Sequence, residues 1–304
     1  MSRALVIGSE GNVGKPLVEY LEASGYETRS LDIRPGHRER YWMADINHPL
    51  DMLEAFDWKP DVVFMLSAMV SRVTCEQAGS LAVATNLEGV NNVLALCKRV
   101  DAMVVYFSTS EVYGPKVEVM AESLADPQPN NRYGLTKLLG EKLVEYEVRT
   151  YGLRAVTLRP FMIYDENEDL GDHRSAMIRF AYDLARNKPI EVHRGSARGW
   201  LHVSDAVRAI ERSAHLNEYS VINIGNGDSI PIEELANKIA SELGADPSLI
   251  RHSDLPSRMT LRKNPTLDRQ RDLLGVVPEV SLDDGISKVC ERVRRVVAAG
   301  QVGT

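Results

Sequence analysis

The chain has 304 residues, with 36 Lys+Arg against 43 Asp+Glu and a formal net charge of -7, which gives no electrostatic reason to bind nucleic acid or an anionic membrane surface. Its 44% hydrophobic and 26% charged residues are ordinary globular composition without a disorder signature. The length suits one large domain with an appended lobe, or two domains.

Cys75, Cys97 and Cys290 are scattered, odd in number and free of CxxC pairing. They suggest neither a disulfide framework nor a zinc site and read as small buried hydrophobes; Cys75 alone falls in a segment placed near the site below. Met1-Ser2-Arg3 leads straight into a strand-like run, without the apolar stretch of a signal peptide. No apolar segment approaches the roughly 20 residues that cross a bilayer. A cytoplasmic setting is the expectation.

In chain order, Ala4-Leu5-Val6-Ile7 is a short buried-strand run, followed by glycines and a helical segment over Pro16 to Ser24. Thr28 to Ile33 predicts the next strand, Asp61 to Leu66 a third, Met103 to Phe107 a fourth and Ala155 to Leu158 a fifth. Helical patterns lie between them at Leu87–Arg99 and Tyr133–Thr150. Continuous apolar strands separated by helices indicate a parallel sheet covered on both faces, the α/β doubly wound pattern. After Pro160 the texture changes. Asp165–Asp172 is acidic and irregular, Ala176–Arg186 and Pro231–Leu243 are helical patterns, and Asp254–Pro265 reads as a polar, proline-containing loop. The expected division is a dinucleotide-binding Rossmann domain over residues 1–165, rejoined by about 199–222, with 166–304 mainly a smaller substrate-binding lobe.

Gly8, Gly11 and Gly14 stand between the first strand and the first helix. Glycines there permit a tight turn, close approach to a pyrophosphate and close helix–strand packing, with the helix N-terminus toward the phosphates. The spacing departs from Gly-x-Gly-x-x-Gly, because position 10 is Glu. Lys15 after Gly14 evokes a triphosphate P-loop, but Ser9 and Pro16 stand where that motif needs Gly and Ser or Thr. Asp32, at the end of the second strand, suits both ribose hydroxyls and would repel a 2′-phosphate, which favours NAD; Arg34, two residues on, keeps NADP open.

Tyr133 and Lys137 form Tyr-x-x-x-Lys, which places both side chains on one helix face one turn apart. An ammonium beside a phenol favours phenolate and readies it for proton exchange with a hydroxyl group. Upstream, the fourth strand runs into Phe107-Ser108-Thr109-Ser110-Glu111-Val112-Tyr113-Gly114. Ligands of open α/β sheets sit beyond the carboxyl ends of strands, so these hydroxyls belong at the site's mouth.

With these residues in place, the sequence resembles the extended short-chain dehydrogenases, specifically the sugar-nucleotide epimerases and dehydratases. The ordered series runs through Gly8/Gly11/Gly14, Asp32, Asp45-Ile46, Leu66-Ser67-Ala68, Asn86 with Gly89, Thr109-Ser110-Glu111 and Tyr133 with Lys137. It continues through Leu158-Arg159-Pro160, the Arg198 to Asp205 segment, the Asn223 to Gly227 segment and Leu274-Gly275. The resemblance implies Tyr133 as acid/base, Lys137 as its pKa modulator and ribose ligand, and Thr109 as the hydroxyl on the reacting sugar oxygen. It implies NAD held by Gly8, Gly11, Asn12, Val13, Gly14, Asp32, Leu66, Ser67, Ala68, Tyr133 and Lys137. Asp45 and Ile46 would flank the adenine, and Asn86 would lie near the nicotinamide. Ser110, Arg198 and Arg258 would meet the nucleotide sugar, the guanidiniums on its diphosphate. His202 and Asp205 read as packing and capping residues.

One departure matters. Many members have Asn two residues after the Arg-Pro that closes the fifth strand, contacting substrate, whereas this chain has Met162. Met162 cannot supply those hydrogen bonds, and the Glu166–Ser175 loop, with His173 or Arg174, is the expected substitute. Glu111 resembles the carboxylate that dehydratases and decarboxylases use after ketone formation, yet a capping role fits it too. Epimerase and 4,6-dehydratase through a 4-keto sugar stand level, with decarboxylase and dehydrogenase behind. From another class, a non-catalytic NAD-binding regulator is weighed against by the intact Thr109, Tyr133 and Lys137. The resemblance further implies a homodimer built from the Leu87–Arg99 and Tyr133–Thr150 helices.

Overall fold

A computed structural model describes residues 2–170, 174–256 and 259–300. Seven strands form the main sheet: β1 (Arg3–Ile7), β2 (Glu27–Asp32), β3 (Tyr41–Met43), β4 (Val62–Met65), β5 (Met103–Phe107), β6 (Ala155–Pro160) and β7 (Val221–Ile224). Their order is β7-β6-β5-β4-β1-β2-β3, parallel at every pairing. The doubly wound α/β fold anticipated from the apolar runs is the fold observed. β1, β4 and β5 lie mid-sheet and are buried almost throughout, as strands covered on both faces must be.

Alternate residues of each strand feed two separate cores. Leu5, Ile7, Val63, Met65, Val104 and Tyr106 pack with Val90, Val93, Leu94 and Cys97 of the Gly89–Val100 helix. On the other face, Ala4, Val6, Phe64, Val105, Val156 and Leu158 pack with Leu17, Val18 and Leu21 of the Gly14–Ala23 helix. Val203, Val207 and Ile210 of the Val203–Ser213 helix complete that face. A third core, with Met177, Phe180, Trp200, Leu235, Ile239 and Val289, belongs to a lobe built largely on three helices, Ala176–Ala185, Ile232–Leu243 and Leu282–Ala298. All three cysteines are buried free thiols. No helix among the described residues is long and apolar enough to cross a membrane.

Two departures from the expected elements bear on the site. The helix expected to start at Leu87 is preceded by a turn at Gly79–Val83 and a wide π turn over Ala84–Glu88. Such bulges inside helices concentrate at functional sites; here the bulge holds Asn86. β3 was not anticipated, because three residues with two half-buried aromatics carry no period to read.

Met162 adopts φ +32, in the left-handed region that non-glycine residues avoid. Its side chain packs against the lobe core and its carbonyl accepts the Leu201 N–H at 3.1 Å. The residue that replaces a hydrogen-bonding Asn in similar sequences is thus part of the lobe's packing.

Candidate active site

The sheet reverses order between β1 and β4, and ligands of open α/β sheets collect outside the carboxyl ends of strands at that crevice. The glycine turn after β1 stands there. Gly8 has φ +90, and a Cβ on it would lie 2.7 Å from the Ser67 backbone nitrogen. A Cβ on Gly14 would come within 2.1 Å of the Gly8 carbonyl oxygen. Both positions therefore demand glycine, one for conformation and one for contact. The Gly14–Ala23 helix begins with no side-chain cap and no acidic residue in its first turn. A helix start of this kind, beside Asn12 and Val13, suits an anion.

Asp32 is buried at the end of β2, where its carboxylate accepts the Glu10 N–H at 2.9 Å and the Arg34 N–H at 3.0 Å. Arg34 leans back on it, with Nε 3.5 Å from Oδ1. Asp45 accepts two hydrogen bonds from Asn47, and the buried Ile46 fits against Gly89, where a Cβ would meet it at 2.6 Å. Leu66 and Ser67 donate backbone N–H bonds to the Ile7 carbonyl, so the Leu66-Ser67-Ala68 segment lies beside the glycine turn. The hydroxyls of Ser9 and Ser67 and the ammonium of Lys137 are buried without a hydrogen-bond partner. A dinucleotide fits this crevice: the glycines leave room for a pyrophosphate, Asp32 would face a ribose, and orphaned polar groups line the way.

Asn86, expected near the nicotinamide side, is held by the protein's own groups. It is fully buried, accepts the Met69 N–H at 2.9 Å, and donates to the Met69 carbonyl and to the Thr136 hydroxyl at 3.1 and 3.0 Å. Thr136 in turn donates to the Tyr133 carbonyl at 3.0 Å. Asn86 thereby ties the loop after β4 to the helix that carries Tyr133. It positions.

That helix, Arg132–Tyr151, is capped by Asn131, whose Oδ1 accepts the Gly134 N–H at 2.8 Å. Tyr133 falls in its first turn beside the Thr109 hydroxyl. A Cβ on Gly140 would lie 2.2 Å from the Tyr106 hydroxyl, and one on Gly134 would lie 2.6 Å from the Glu111 carbonyl. The helix therefore sits hard against β5 and the turn after it. Lys137 is buried with Nζ 4.2 Å above the Tyr106 ring.

Burial raises the Tyr133 phenol above its ordinary value, against a lowering pull from the Thr109 hydroxyl. The expected lowering by Lys137 is not what dominates. Burial also brings the Lys137 ammonium down to about 7, with Glu141 pulling the other way. Separated charges are costly out of water, so both groups shift toward their neutral forms.

The sign of the Lys137 shift makes a prediction. Its folded value lies below its unfolded one, so between pH 7 and 10 the unfolded chain binds a proton that the folded chain does not. Stability gains from this group as pH rises, by about 1.4 kcal/mol per unit. With NAD removed, denaturant unfolding of wild type and Lys137→Met from pH 7.5 to 9.5 should diverge in favour of wild type by about 2–3 kcal/mol. A difference that stays flat would mean the folded lysine remains charged.

Glu111 is the hub of a charged corner. Its Oε2 accepts from Asn131 Nδ2 at 2.8 Å and lies 3.9 Å from Arg72, and its Oε1 is 2.6 Å from Lys263 Nζ. Lys263 also donates to the Ser110 hydroxyl at 2.9 Å. Burial alone would raise Glu111; the Lys263 and Arg72 charges overcome it and hold the carboxyl at about 2. Arg198 is buried nearby, but its Nη1 donates to the carbonyls of Ala197 and Leu261 and its Nη2 to that of Thr260. Much of the guanidinium expected on a diphosphate is thus engaged in anchoring the late loop. Arg258 and His173 lie outside the described residues.

Asp205 accepts the N–H groups of Glu279 and Val280, and His202 caps the Val203–Ser213 helix while contacting Glu166 at 2.8 Å. Lys263, Arg72 and Asn131 were not singled out in the sequence. An Asn just before a helical pattern is a capping signal that would have found Asn131. Lys263 sits in a stretch read only as a polar loop.

An open parallel sheet with a glycine turn, a buried carboxylate closing β2 and a Tyr–Lys helix defines a short-chain type dehydrogenase/reductase of the extended class. Residues 4–225 match the NAD dependent epimerase/dehydratase family. The chain belongs to that family, and its cofactor is NAD. It is 27% identical over 303 residues to UDP-glucuronic acid decarboxylase 6 of Arabidopsis thaliana, covering 93% of this chain and 86% of that one. Its fold superimposes on UDP-glucose 4-epimerase of Thermotoga maritima, solved with UDP-glucose, at TM-score 0.90 and 23% identity, covering 97% and 99% of the two chains. The UDP-glucose 4-epimerase of Thermus thermophilus, solved in complex with NAD, gives TM-score 0.86 at 25% identity, covering 96% and 99%.

Proposed function

We propose that this chain acts on a nucleotide sugar through a 4-keto intermediate, with Tyr133 as the group that exchanges the C4 hydroxyl proton. The observation that carries the proposal is the placement of Tyr133 beside Thr109, with Lys137 one turn on, at the end of β5. Gly8, Gly11, Asn12, Val13, Gly14, Asp32, Asp45, Ile46, Leu66, Ser67 and Ala68 would hold NAD, which supplies the hydride acceptor and donor when bound. Thr109 holds the sugar oxygen, Tyr133 takes or returns its proton, and the buried Lys137 answers the change of charge on Tyr133. Arg198 and Arg258 are proposed for the diphosphate, Arg198 through the face its carbonyl partners leave open.

The state of Glu111 bears on which reaction follows the ketone. A carboxylate held at about 2 by two cations is a weak base for the C5 proton that a dehydratase must remove. That favours 4-epimerisation, in which the ketone turns and is reduced from its other face. Decarboxylation, the activity named for the Arabidopsis relative, also needs no base at C5 and is the second reading. The test is incubation with NAD and a panel of UDP-, dTDP-, GDP- and CDP-sugars, with products resolved by chromatography and mass spectrometry. An unchanged mass at a new position supports epimerisation and loss of carbon dioxide the second reading. Loss of water would reject both.

A homodimer through the Gly89–Val100 and Arg132–Tyr151 helices is part of the proposal. Leu135, Leu139 and Tyr146 stand exposed on the second of these, and Leu81 and Val83 on the turn that leads into the first. Light scattering that returned the mass of one chain would end it.

A further inference from the structure

We infer that Glu122 and Asn223 are positioning residues of the substrate site, which place the loop that orients Arg198 toward a nucleoside diphosphate. The inference rests on the nucleotide-sugar proposal above and deepens it.

Between the strand Ile250–Ser253 and the helix Asp268–Leu274, the described residues form no helix or strand. Their backbone meets the rest of the molecule at two single-residue bridges, Pro265 with Met120 and Arg262 with Ala197. Yet this loop supplies the carbonyls of Thr260 and Leu261 that hold the Arg198 guanidinium. An arginine held in this way points only as well as the loop is placed. With so little backbone pairing, side chains have to place it.

Asn223, on β7, is fully buried, and a buried amide is costly unless it is bonded. Its Oδ1 accepts the Tyr113 hydroxyl at 2.7 Å, and its Nδ2 donates to the Met120 and Thr266 carbonyls at 2.8 and 3.1 Å. Glu122 adds a second clasp. Its carboxylate accepts the Asn223 N–H at 3.0 Å and the Thr266 hydroxyl at 2.6 Å. Tyr113 ends the turn that Thr109 caps. The two side chains therefore join the turn beside Thr109, the Met120 segment and the end of the loop at Thr266. Packing alone would be served by apolar side chains. A satisfied polar network instead specifies one arrangement of the segments it joins.

From Thr266 the chain runs back past the Arg262 bridge to Leu261 and Thr260, so a shift at the clasp reaches the Arg198 guanidinium through the loop backbone. The cofactor side is insulated from it. Gly8 and Asp32 belong to β1 and β2, which β6, β5 and β4 separate from β7. NAD binding is therefore the internal control.

The test is equilibrium binding of UDP, dTDP, GDP and CDP, and separately of NAD, to wild type, Glu122→Ala and Glu122→Gln. Whichever diphosphate wild type binds should bind about tenfold more weakly to Glu122→Ala, the scale of one hydrogen bond to a charged group, with NAD affinity unchanged. Glu122→Gln keeps an acceptor for the Asn223 N–H and offers its amide to the Thr266 hydroxyl, so it should stay within about threefold of wild type. Because the clasp acts through Arg198, adding Glu122→Ala to Arg198→Met should weaken binding little further. If Glu122→Ala fails to fold, Thr266→Val removes one hydroxyl of the same clasp and should show the same selective loss. Unchanged diphosphate binding, an equal loss of NAD binding, or losses that add to those of Arg198→Met would overturn the inference and leave the nucleotide-sugar proposal standing. Failure of wild type to bind any of the four diphosphates would overturn both.

Discussion

Tyr133→Phe should lower kcat by roughly 10²–10⁴-fold, the usual contribution of a positioned acid/base, while NAD binding, followed by calorimetry, stays within a few-fold of wild type. The substitution removes one oxygen and keeps the ring, so the contacts that seat the helix against β5 persist. Gly134 and Gly140 still allow the close approach, Asn131 still caps the first turn, and Thr136 still bonds the residue 133 carbonyl. What disappears is the hydroxyl beside Thr109. Burial favours the phenol form in the resting enzyme, which is the form that returns a proton to a ketone oxygen. A variant that kept more than a tenth of the wild-type rate would remove Tyr133 from the proton path. Reduced NAD affinity with an unchanged rate would instead make Tyr133 a cofactor ligand alone.

How much of this was legible in the sequence follows from the range of the interactions. The sheet was legible because fully buried parallel strands are apolar without a break, and β1, β4 and β5 are such runs. The glycine turn and the Tyr–Lys spacing were legible because a turn and a helix face are set by near neighbours. The edge strand β3 and the π turn at Asn86 were not, since one is too short for a period and the other has no local signature.

The charged corner was hidden for a different reason. Lys263 and Glu111 are 152 residues apart, and only the fold of the late loop over the turn after β5 brings them together. The same separation hid the state of Glu111. Its sequence neighbours left a chemical and a capping role open, and neither pointed to the two distant cations that hold it ionised. Arg198 shows the converse: the sequence identified an arginine at the site, but not the three backbone carbonyls it holds.

Arg159→Met should be the most destabilising single change near the site. Arg159, at the end of β6, donates from Nε to Glu141 Oε1 at 2.9 Å and from Nη2 to Oε2 at 2.7 Å, and the two side chains are 5% and 4% exposed. Removing one partner of such a pair leaves a buried charge uncompensated, which costs about 3–5 kcal/mol. For a chain of this size that corresponds to a fall in Tm on the order of 10 °C. Removing both charges with Arg159→Met/Glu141→Leu should recover most of the loss, because neither ion then has to be desolvated. Thermal and denaturant unfolding of the two variants checks this, and equal losses in the single and double variants would show that packing rather than charge is at stake. Glu141 is also the group that pulls the Lys137 ammonium upward against burial. Freed from Arg159, its charge acts on Lys137 undiminished, so the lysine should stay protonated to higher pH. The divergence expected between wild type and Lys137→Met from pH 7.5 to 9.5 should therefore shrink in the Arg159→Met background. A divergence of the same size there would mean that the Arg159–Glu141 pair does not set the charge on Lys137.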